Sequence, residues 1–352
     1  MYGGTERIVS YLTEELVAQG HDVTLFASGD SQTSARLVPA CPTALRLADC
    51  VDPIPIHLAM LEEVVRQDFD VVHFHVDYLS YPLTAHLPMV HVTTLHGRLD
   101  LPSLVPLYDT YHPPVVSISD AQRAPLPDLD WCGTVYHGFP LDLYSLGEAG
   151  GDYLAFVGRI SPEKRVDRAI EIARRAGRRI LVAAKIDRAD RDYYDSEIAA
   201  LMREPHIEFL GEVGEADKHR LLGGARALLF PIDWPEPFGM VMAEAMACGT
   251  PVIGFRRGSV PEVIDDGVTG IVCDDIDGAV AAVERIGSLS RAGCRARFEA
   301  RFSAARMVAD YVRIYHQLGA RHGEHLRGSV RLLHPCDEHA GGRAHARHQA
   351  RR

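Results

Sequence analysis

The segment PIDWPEPFGMVMAEAMACGTPVIGFRRG, Pro231 to Gly258, reads as a loop, a buried helix, a sharp stop and a strand in immediate succession. From Gly239 to Cys248 only Glu244 is charged, and Gly249, Thr250 and Pro251 supply a left-handed cap followed by a residue that cannot continue the helix. A helix apolar on every side is a core helix. A carboxylate within it is costly unless something satisfies it, and Glu236, in a loop stiffened by Pro235 and Pro237, aims a second carboxylate at the same helix start. The first-turn amides of Phe238, Gly239 and Met240 point there too. Such amides suit phosphate or sugar oxygens, whereas neighbouring carboxylates suit hydroxyl groups, so a phosphorylated sugar matches both halves. The alternative is structural: Glu244 paired with Arg256 or Arg257, and Glu236 solvated.

Glu236-Pro237-Phe238-Gly239 followed by Glu244 resembles the two-glutamate motif of retaining glycosyltransferases of family 4, the glycosyltransferase group 1 type. The resemblance extends through Gly258-Ser259-Val260-Pro261-Glu262-Val263-Ile264 and Gly267-Val268-Thr269-Gly270, covers residues 1 to about 318, and is strongest over 153–272. It implies an α/β protein of GT-B fold, two Rossmann-like doubly wound domains facing a cleft. By that resemblance Glu236 contacts the donor sugar and Glu244 the nucleotide ribose.

Composition limits what these motifs can mean. The 352 residues, 47% of them apolar, are enough for two domains of ordinary size. A net charge of −11 argues against nucleic acid as a partner, since binding a phosphate backbone needs a basic face. Of 37 basic residues only three are lysines, Lys164, Lys185 and Lys218, so each is noticeable. Seven cysteines without a C-x-x-C pair point to reduced thiols in a cytosolic protein. No apolar run approaches the length of a membrane span, which leaves at most peripheral contact, at the inner membrane face.

Met1-Tyr2-Gly3-Gly4-Thr5-Glu6 leads straight into a helix with apolar Ile8, Val9, Leu12 and Leu16, and no strand precedes it. A Gly-Gly turn at a helix start can cradle a phosphate, and in the resembled family this loop contacts the donor diphosphate after a central strand. The N-terminal domain is therefore expected to lack its first strand. Strands at Val23–Ala27 and Val71–His75, with a helix between, continue the alternation of a parallel sheet. His96 follows the strand His91–Leu95 and precedes Gly97, at the sheet edge where ligands bind. The resemblance puts His96 near the donor sugar and the acceptor; Arg98, in the next loop, is a candidate for the acceptor or a surface ion pair.

The second half restarts at Tyr153-Leu154-Ala155-Phe156-Val157-Gly158-Arg159-Ile160-Ser161-Pro162-Glu163-Lys164. Ser161 reads as a helix N-cap and Pro162 as the first helical residue, which places Lys164 in the first turn, against the helix dipole unless an anion lies beyond. Arg159 at the strand end faces the same point, so the two read as a diphosphate clamp, with pairing to Glu163 or Asp167 as the structural alternative. The family's matching segment neutralises a leaving diphosphate. In the family, the segment matching Gly211-Glu212-Val213 passes the nucleobase through backbone groups.

These readings divide the chain into an acceptor domain over 1–145, a donor domain over 146–302, a helix over 303–318 that in the family packs back on the first domain, and a His- and Arg-rich tail over 319–352 expected to be disordered. The implied activity is sugar transfer from a nucleoside-diphosphate sugar, UDP- or GDP-linked, to a hydroxyl on a sugar, lipid or small molecule, with retained configuration. Catalytic candidates are His96, Arg159, Lys164 and Glu236; donor candidates are Gly3, Gly4, Arg159, Lys164, Val213, Glu236, Phe238, Gly239, Met240 and Glu244; acceptor candidates are His96 and Arg98. No metal or cofactor is required in this scheme, because fixed cations do the electrostatic work. The competing readings are a GT-B epimerase or hydrolase of nucleotide sugars and a noncatalytic nucleotide-sugar-binding protein.

Overall fold

The computed structural model describes residues 3–45, 47–48, 50–84, 87–148, 151–323 and 329–333. The chain divides into two compact units, residues 1–91 with 326–352, and residues 92–325.

In the first unit the helix Gly4–Ala18 buries Ile8, Val9, Leu12 and Leu16 and gives way at Gly20 to β1 (Asp22–Ser28), which pairs in parallel with β2 (Arg36–Cys41). β3 (Val71–Phe74) is buried along its length. The place between β1 and β3 is taken by a strand from the C-terminal tail, Ser329–Leu333, parallel to both. Its register runs from Asp22↔Ser329 to Phe26↔Leu333 on one side and from Val330↔Val71 to Leu333↔Phe74 on the other. The sheet is thus completed from the other end of the chain. Residues 319–322 also belong to the long helix Ala304–His322, so the expectation of a disordered segment from 319 is corrected for both stretches; residues 334–352 lie outside the described residues.

In the second unit β4 (Val90–Thr94), β5 (Val115–Ser117) and β6 (Trp131–Thr134) pair in parallel in that order. A further sheet comprises β7 (Tyr153–Arg159), β8 (Arg179–Lys185), β9 (Ile207–Gly211), β10 (Ala227–Phe230), β11 (Val252–Phe255) and β12 (Gly270–Cys273) in the order β12-β11-β10-β7-β8-β9, all parallel. Counted within the sheet this is the Rossmann order, with its switch point between β7 and β10. Its core clusters Leu154, Phe156, Ile180, Val182 and Leu229 with Ala169, Ile170 and Ala173 of the helix Val166–Arg175. The helix Ala304–His322 is held to the β4–β6 region: Tyr311 Oη lies 3.0 Å from Thr94 Oγ1, and the Gly138 amide donates to Met307 Sδ at 3.1 Å.

A proline at Leu332 would remove a ladder donor from a strand paired on both sides and leave its partner carbonyl unmatched. At about 1–3 kcal/mol for such a loss, Leu332→Pro should lower the melting temperature followed by circular dichroism and increase light scattering, while Leu332→Val should not. An unchanged melt for the proline variant would show that this strand does not complete the sheet.

Candidate active site

The switch point of the six-stranded sheet opens where β7 ends at Arg159 and β10 ends at Phe230. From β10 the chain runs through Pro231–Phe238 into the buried helix Met240–Ala247. Gly239, at φ +74°, is the left-handed residue on which that helix starts, and a Cβ there would meet Met242 and the Phe230 ring. The stop has the expected form. Gly249 sits at φ +74°, its amide donates to the Met246 carbonyl at 2.9 Å, and the Thr250 amide donates to Ala245 at 2.8 Å, the paired bonds of a Schellman motif. Glu244 is consequently enclosed, at 3% exposure.

Glu236 is not solvated; it is 8% exposed and held by two donors on one oxygen. Lys164 Nζ and, at 3.0 Å, Trp234 Nε1 both donate to Oε2. Its backbone is fixed as firmly: the amide donates to the Trp234 carbonyl at 2.9 Å, and the carbonyl accepts from Ser259 at 2.9 Å. Gly258, at φ +50°, makes this possible, since a Cβ there would stand 2.4 Å from both the nitrogen and the oxygen of Glu236.

The segment carrying Lys164 differs from its sequence reading. Ser161–Lys164 is a turn, closed by the Lys164 amide donating to the Ser161 carbonyl at 3.1 Å, and the helix begins only at Val166. Its N-cap is Arg165 in the left-handed region, tied by its guanidinium to Asp167 and Asp233. The competing arginine pairs explain the delay: they satisfy charge at residue 165, and Lys164 is released toward Glu236 instead of opposing a helix dipole. Arg159 pairs with Glu163 at 3.1 Å and reaches Asp190 at 4.0 Å, so its structural alternative is present.

Glu244 pairs with neither Arg256, which bonds Asp274, nor Arg257, which turns toward Asp233. Its partners are Lys218 at 2.9 Å and the Tyr144 hydroxyl at 3.2 Å, both on Oε1. Lys218, 1% exposed, also donates to Glu215 at 2.8 Å, and Tyr144 donates to Glu215 at 2.6 Å. Lys218 and Glu215 lie on the helix Glu215–Gly224, which starts just after Val213.

His96 stacks on His137, ring centres 5.4 Å apart and 22° between planes, and His137 meets Phe238 edge-on at 4.8 Å. Burial above all, then the nearby charges of His96 and Arg306, holds the His137 imidazole well below the ordinary histidine range, so this ring stays neutral. Arg98 forms a two-pronged bond with Asp100, 2.6 Å at each prong, which keeps the Asp100 carboxyl below its usual range; its guanidinium also lies 5.7 Å from the Trp234 ring centre. Glu262 accepts from the Asp120 and Ala121 amides at 2.7 and 2.6 Å and from Tyr136 Oη at 3.1 Å, tying the turn after β5 to the segment after β11.

Residues 146–300 match the family model described as Glycosyl transferases group 1, and residues 2–124 match Glycosyltransferase Family 4. Both halves of the chain thus match glycosyltransferase models, and the protein is a glycosyltransferase of GT-B fold. It is 25% identical over 386 residues to D-inositol 3-phosphate glycosyltransferase of Mycolicibacterium smegmatis, covering 91% of this chain and 88% of that one. It is 27% identical to N-acetyl-alpha-D-glucosaminyl L-malate synthase of Bacillus anthracis, covering 90% and 94%. Among solved structures, AviGT4, a glycosyltransferase involved in avilamycin A biosynthesis, superposes with a TM-score of 0.71 at 24% identity over 91% of each chain. HepE of Anabaena, solved with UDP and glucose, does so with 0.70 at 17% identity over 88% and 95%.

In this glycosyltransferase the second unit brings Lys164 onto Glu236, two residues ahead of the Phe238–Met240 helix start. Glu244 and Val213 are associated with the helix Glu215–Gly224, and His96 joins through His137 and Phe238. Gly3 and Gly4 start the helix of the first unit. Sequence reading passed over Trp234, His137 and Lys218 as partners. The scarcity of lysine marked Lys218, but nothing local pairs positions 218 and 244. No grouping of three or more His, Cys, Asp or Glu side chains suited to a metal ion occurs among the described residues.

Removing Lys218 would leave the buried Glu244 carboxylate without this cation, an effect of about 3–5 kcal/mol. Lys218→Met should therefore lower the free energy of unfolding by that amount in a denaturant titration. Near-wild-type stability would mean that Glu244 draws its support from elsewhere.

Proposed function

We propose that this glycosyltransferase moves a sugar from a nucleoside-diphosphate sugar, UDP- or GDP-linked, to an acceptor hydroxyl with retention of configuration. The supporting observation is the half-satisfied carboxylate at the switch point. Glu236 Oε2 takes two donors, and Oε1 has no partner among the described residues, beside a cation and the first-turn amides of a buried helix. A carboxylate oxygen accepts a sugar hydroxyl, while Lys164, Arg159 and the amides face charge developing on a leaving diphosphate. The HepE structures with UDP and with UDP-glucose support a UDP-linked donor.

In this reading the bond from the anomeric carbon to the diphosphate oxygen breaks, and the acceptor oxygen bonds that carbon on the same face. The acceptor proton passes to the departing phosphate, so no carboxylate base is required and His96 serves to position sugar and acceptor. Glu244 contacts the ribose from its Lys218-supported place, Val213 passes the base through its backbone, and Gly3 and Gly4 meet the diphosphate. Arg98 is assigned to the acceptor. No metal or cofactor enters. The reading places the enzyme in the cytoplasm, free or peripheral at the inner membrane face; no helix among the described residues is long and apolar enough to cross a membrane.

Ligand-observed binding across a UDP- and GDP-sugar panel, followed by product analysis, tests the assignment. Arg159→Ala and Lys164→Ala should each weaken donor or transition-state binding roughly 10- to 100-fold. Because Lys164 and Glu236 touch, Lys164→Ala combined with Glu236→Gln should cost less than the two separate losses together. Transfer should persist in excess EDTA. An inverted product, or activity lost in EDTA and restored by magnesium, overturns the scheme.

Glu236→Gln should reduce turnover more than nucleotide affinity, whereas Glu244→Gln should weaken binding of the free nucleoside diphosphate. Equal effects on that affinity, measured by calorimetry, would remove the division of labour between the two carboxylates.

A further inference from the structure

Trp234 takes part in more of the switch-point contacts than its place in a surface loop suggests. It lies between β10 and the buried helix, partly exposed, with its carbonyl accepting from the Glu236 amide in a tight three-residue turn. Its indole N–H donates to Glu236 Oε2 at 3.0 Å. Lys164 Nζ, which donates to the same oxygen, stands 5.1 Å from the Trp234 ring centre, and the Arg98 guanidinium stands 5.7 Å from it. One side chain therefore meets a proposed sugar ligand, a proposed diphosphate ligand and a proposed acceptor ligand, drawn from three separate stretches of sequence.

The consequence lies in the last torsion of Glu236. A glutamate carboxylate turns in a broad, two-fold well, so a single donor such as the flexible lysine ammonium fixes its plane poorly. A second donor on the same oxygen, carried by a rigid indole, fixes that plane and with it the direction in which Oε1 presents its lone pairs. Oε1 is the oxygen with no partner among the described residues. Its direction determines which hydroxyl, axial or equatorial, a bound sugar can offer it.

We infer that Trp234 is a positioning residue for sugar transfer: its N–H sets the Glu236 carboxylate plane and thereby discriminates between donors that differ only in the configuration of one hydroxyl. This rests on the donor-sugar role of Glu236 proposed above. Trp234→Phe removes the N–H and keeps an aromatic face for Lys164 and Arg98, which makes it the informative variant.

The experiment first takes wild-type protein through UDP-glucose, UDP-galactose, GDP-mannose and GDP-glucose to find the donor it binds and transfers. With that donor and its epimer, Trp234→Phe should lower kcat roughly 10-fold, the loss of one hydrogen bond to a charged group, and compress the ratio of kcat/KM between the epimers. The Kd of the free nucleoside diphosphate should stay within about twofold of wild type, because that ligand lacks the sugar. In a Glu236→Gln background the tryptophan change should have little further effect on transfer. An unchanged epimer ratio and kcat would overturn the inference while leaving the proposed function standing. So would losses of transfer and nucleotide binding in step with a lowered melting temperature, which mark a merely structural tryptophan. Failure of wild type to bind any nucleotide sugar would overturn the proposed function, and this inference with it.

Fluorescence supplies a readout independent of turnover, since Trp131 and Trp234 are the protein's two tryptophans. In Trp131→Phe the emission comes from Trp234 alone. It should change on addition of the sugar donor and much less with the free nucleoside diphosphate; identical responses to the two would overturn the placement of Trp234 beside the sugar.

Discussion

The ion pair between Lys164 and Glu236 joins two loops that the sheet order sends in different directions. At the switch point the connections after β7 and β10 diverge, which leaves a crevice that main-chain pairing does not close. A cation from one loop and a carboxylate from the other close it by charge. Desolvating such a pair is expensive, and the geometry offsets the expense with the Trp234 N–H and with aromatic faces of Phe230 and Trp234 around the ammonium. What the pair secures is placement. Arg159, by contrast, is nearly half exposed in its contacts with Glu163 and Asp190, and exposed pairs of this kind exchange partners at little cost. In the proposed scheme an incoming diphosphate can therefore take over Arg159 without dismantling the site, with the Lys164–Glu236 contact as the fixed frame against which it binds.

The two carboxylates are fixed by different means, and the difference matches the roles proposed for them. Glu236 is set by backbone: two prolines, the turn back to Trp234, and the close approach of Gly258. Glu244 is set by a buried charge network in a helix whose neighbouring positions are packed, with Lys218 and Tyr144 holding one oxygen and Glu215 closing the network toward the surface. A loop carboxylate framed by glycine and proline is held rigid at the crevice. A helix carboxylate held by an internal lysine on one oxygen keeps hydrogen-bonding capacity for hydroxyl groups.

Much of this was legible in residue order because it depends on near neighbours. The helix Met240–Ala247 and its Gly249 stop follow from an apolar run and a glycine, and the crevice loop follows from Pro235 and Pro237. The helix start after β7 was misread for a local reason: Ser161-Pro162 is a strong start signal, but the left-handed Arg165, bonded to Asp233 far along the chain, moves the start to Val166. Long-range pairs were out of reach in principle. Lys218 with Glu244, His96 with His137, and Glu262 with the amides of Asp120 and Ala121 are each joined only by the topology of the sheets.

The tail strand shows the same limit at the scale of a whole sheet. Composition around Ser329–Leu333 is biased toward Arg, His and Gly, which reads as an unstructured segment, yet β1 and β3 each present a row of main-chain groups along one slot. Unpaired donors and acceptors in a buried slot are costly, so any short run able to lie parallel between them gains two ladders at once. The choice is made by the slot more than by the strand. It carries a kinetic consequence, because pairing Asp22 with Ser329 closes a loop that includes nearly the entire protein. Loop-closure entropy grows slowly with length but must be met before the ladder forms, and pairings of such separation form late. The helix Gly4–Ala18 and β1 lie far from Ser329–Leu333 along the chain, whereas the six-stranded sheet of the second unit closes on strands much nearer one another. The second unit, which carries Glu236 and Lys164, can therefore assemble its core before the first unit has its central strand.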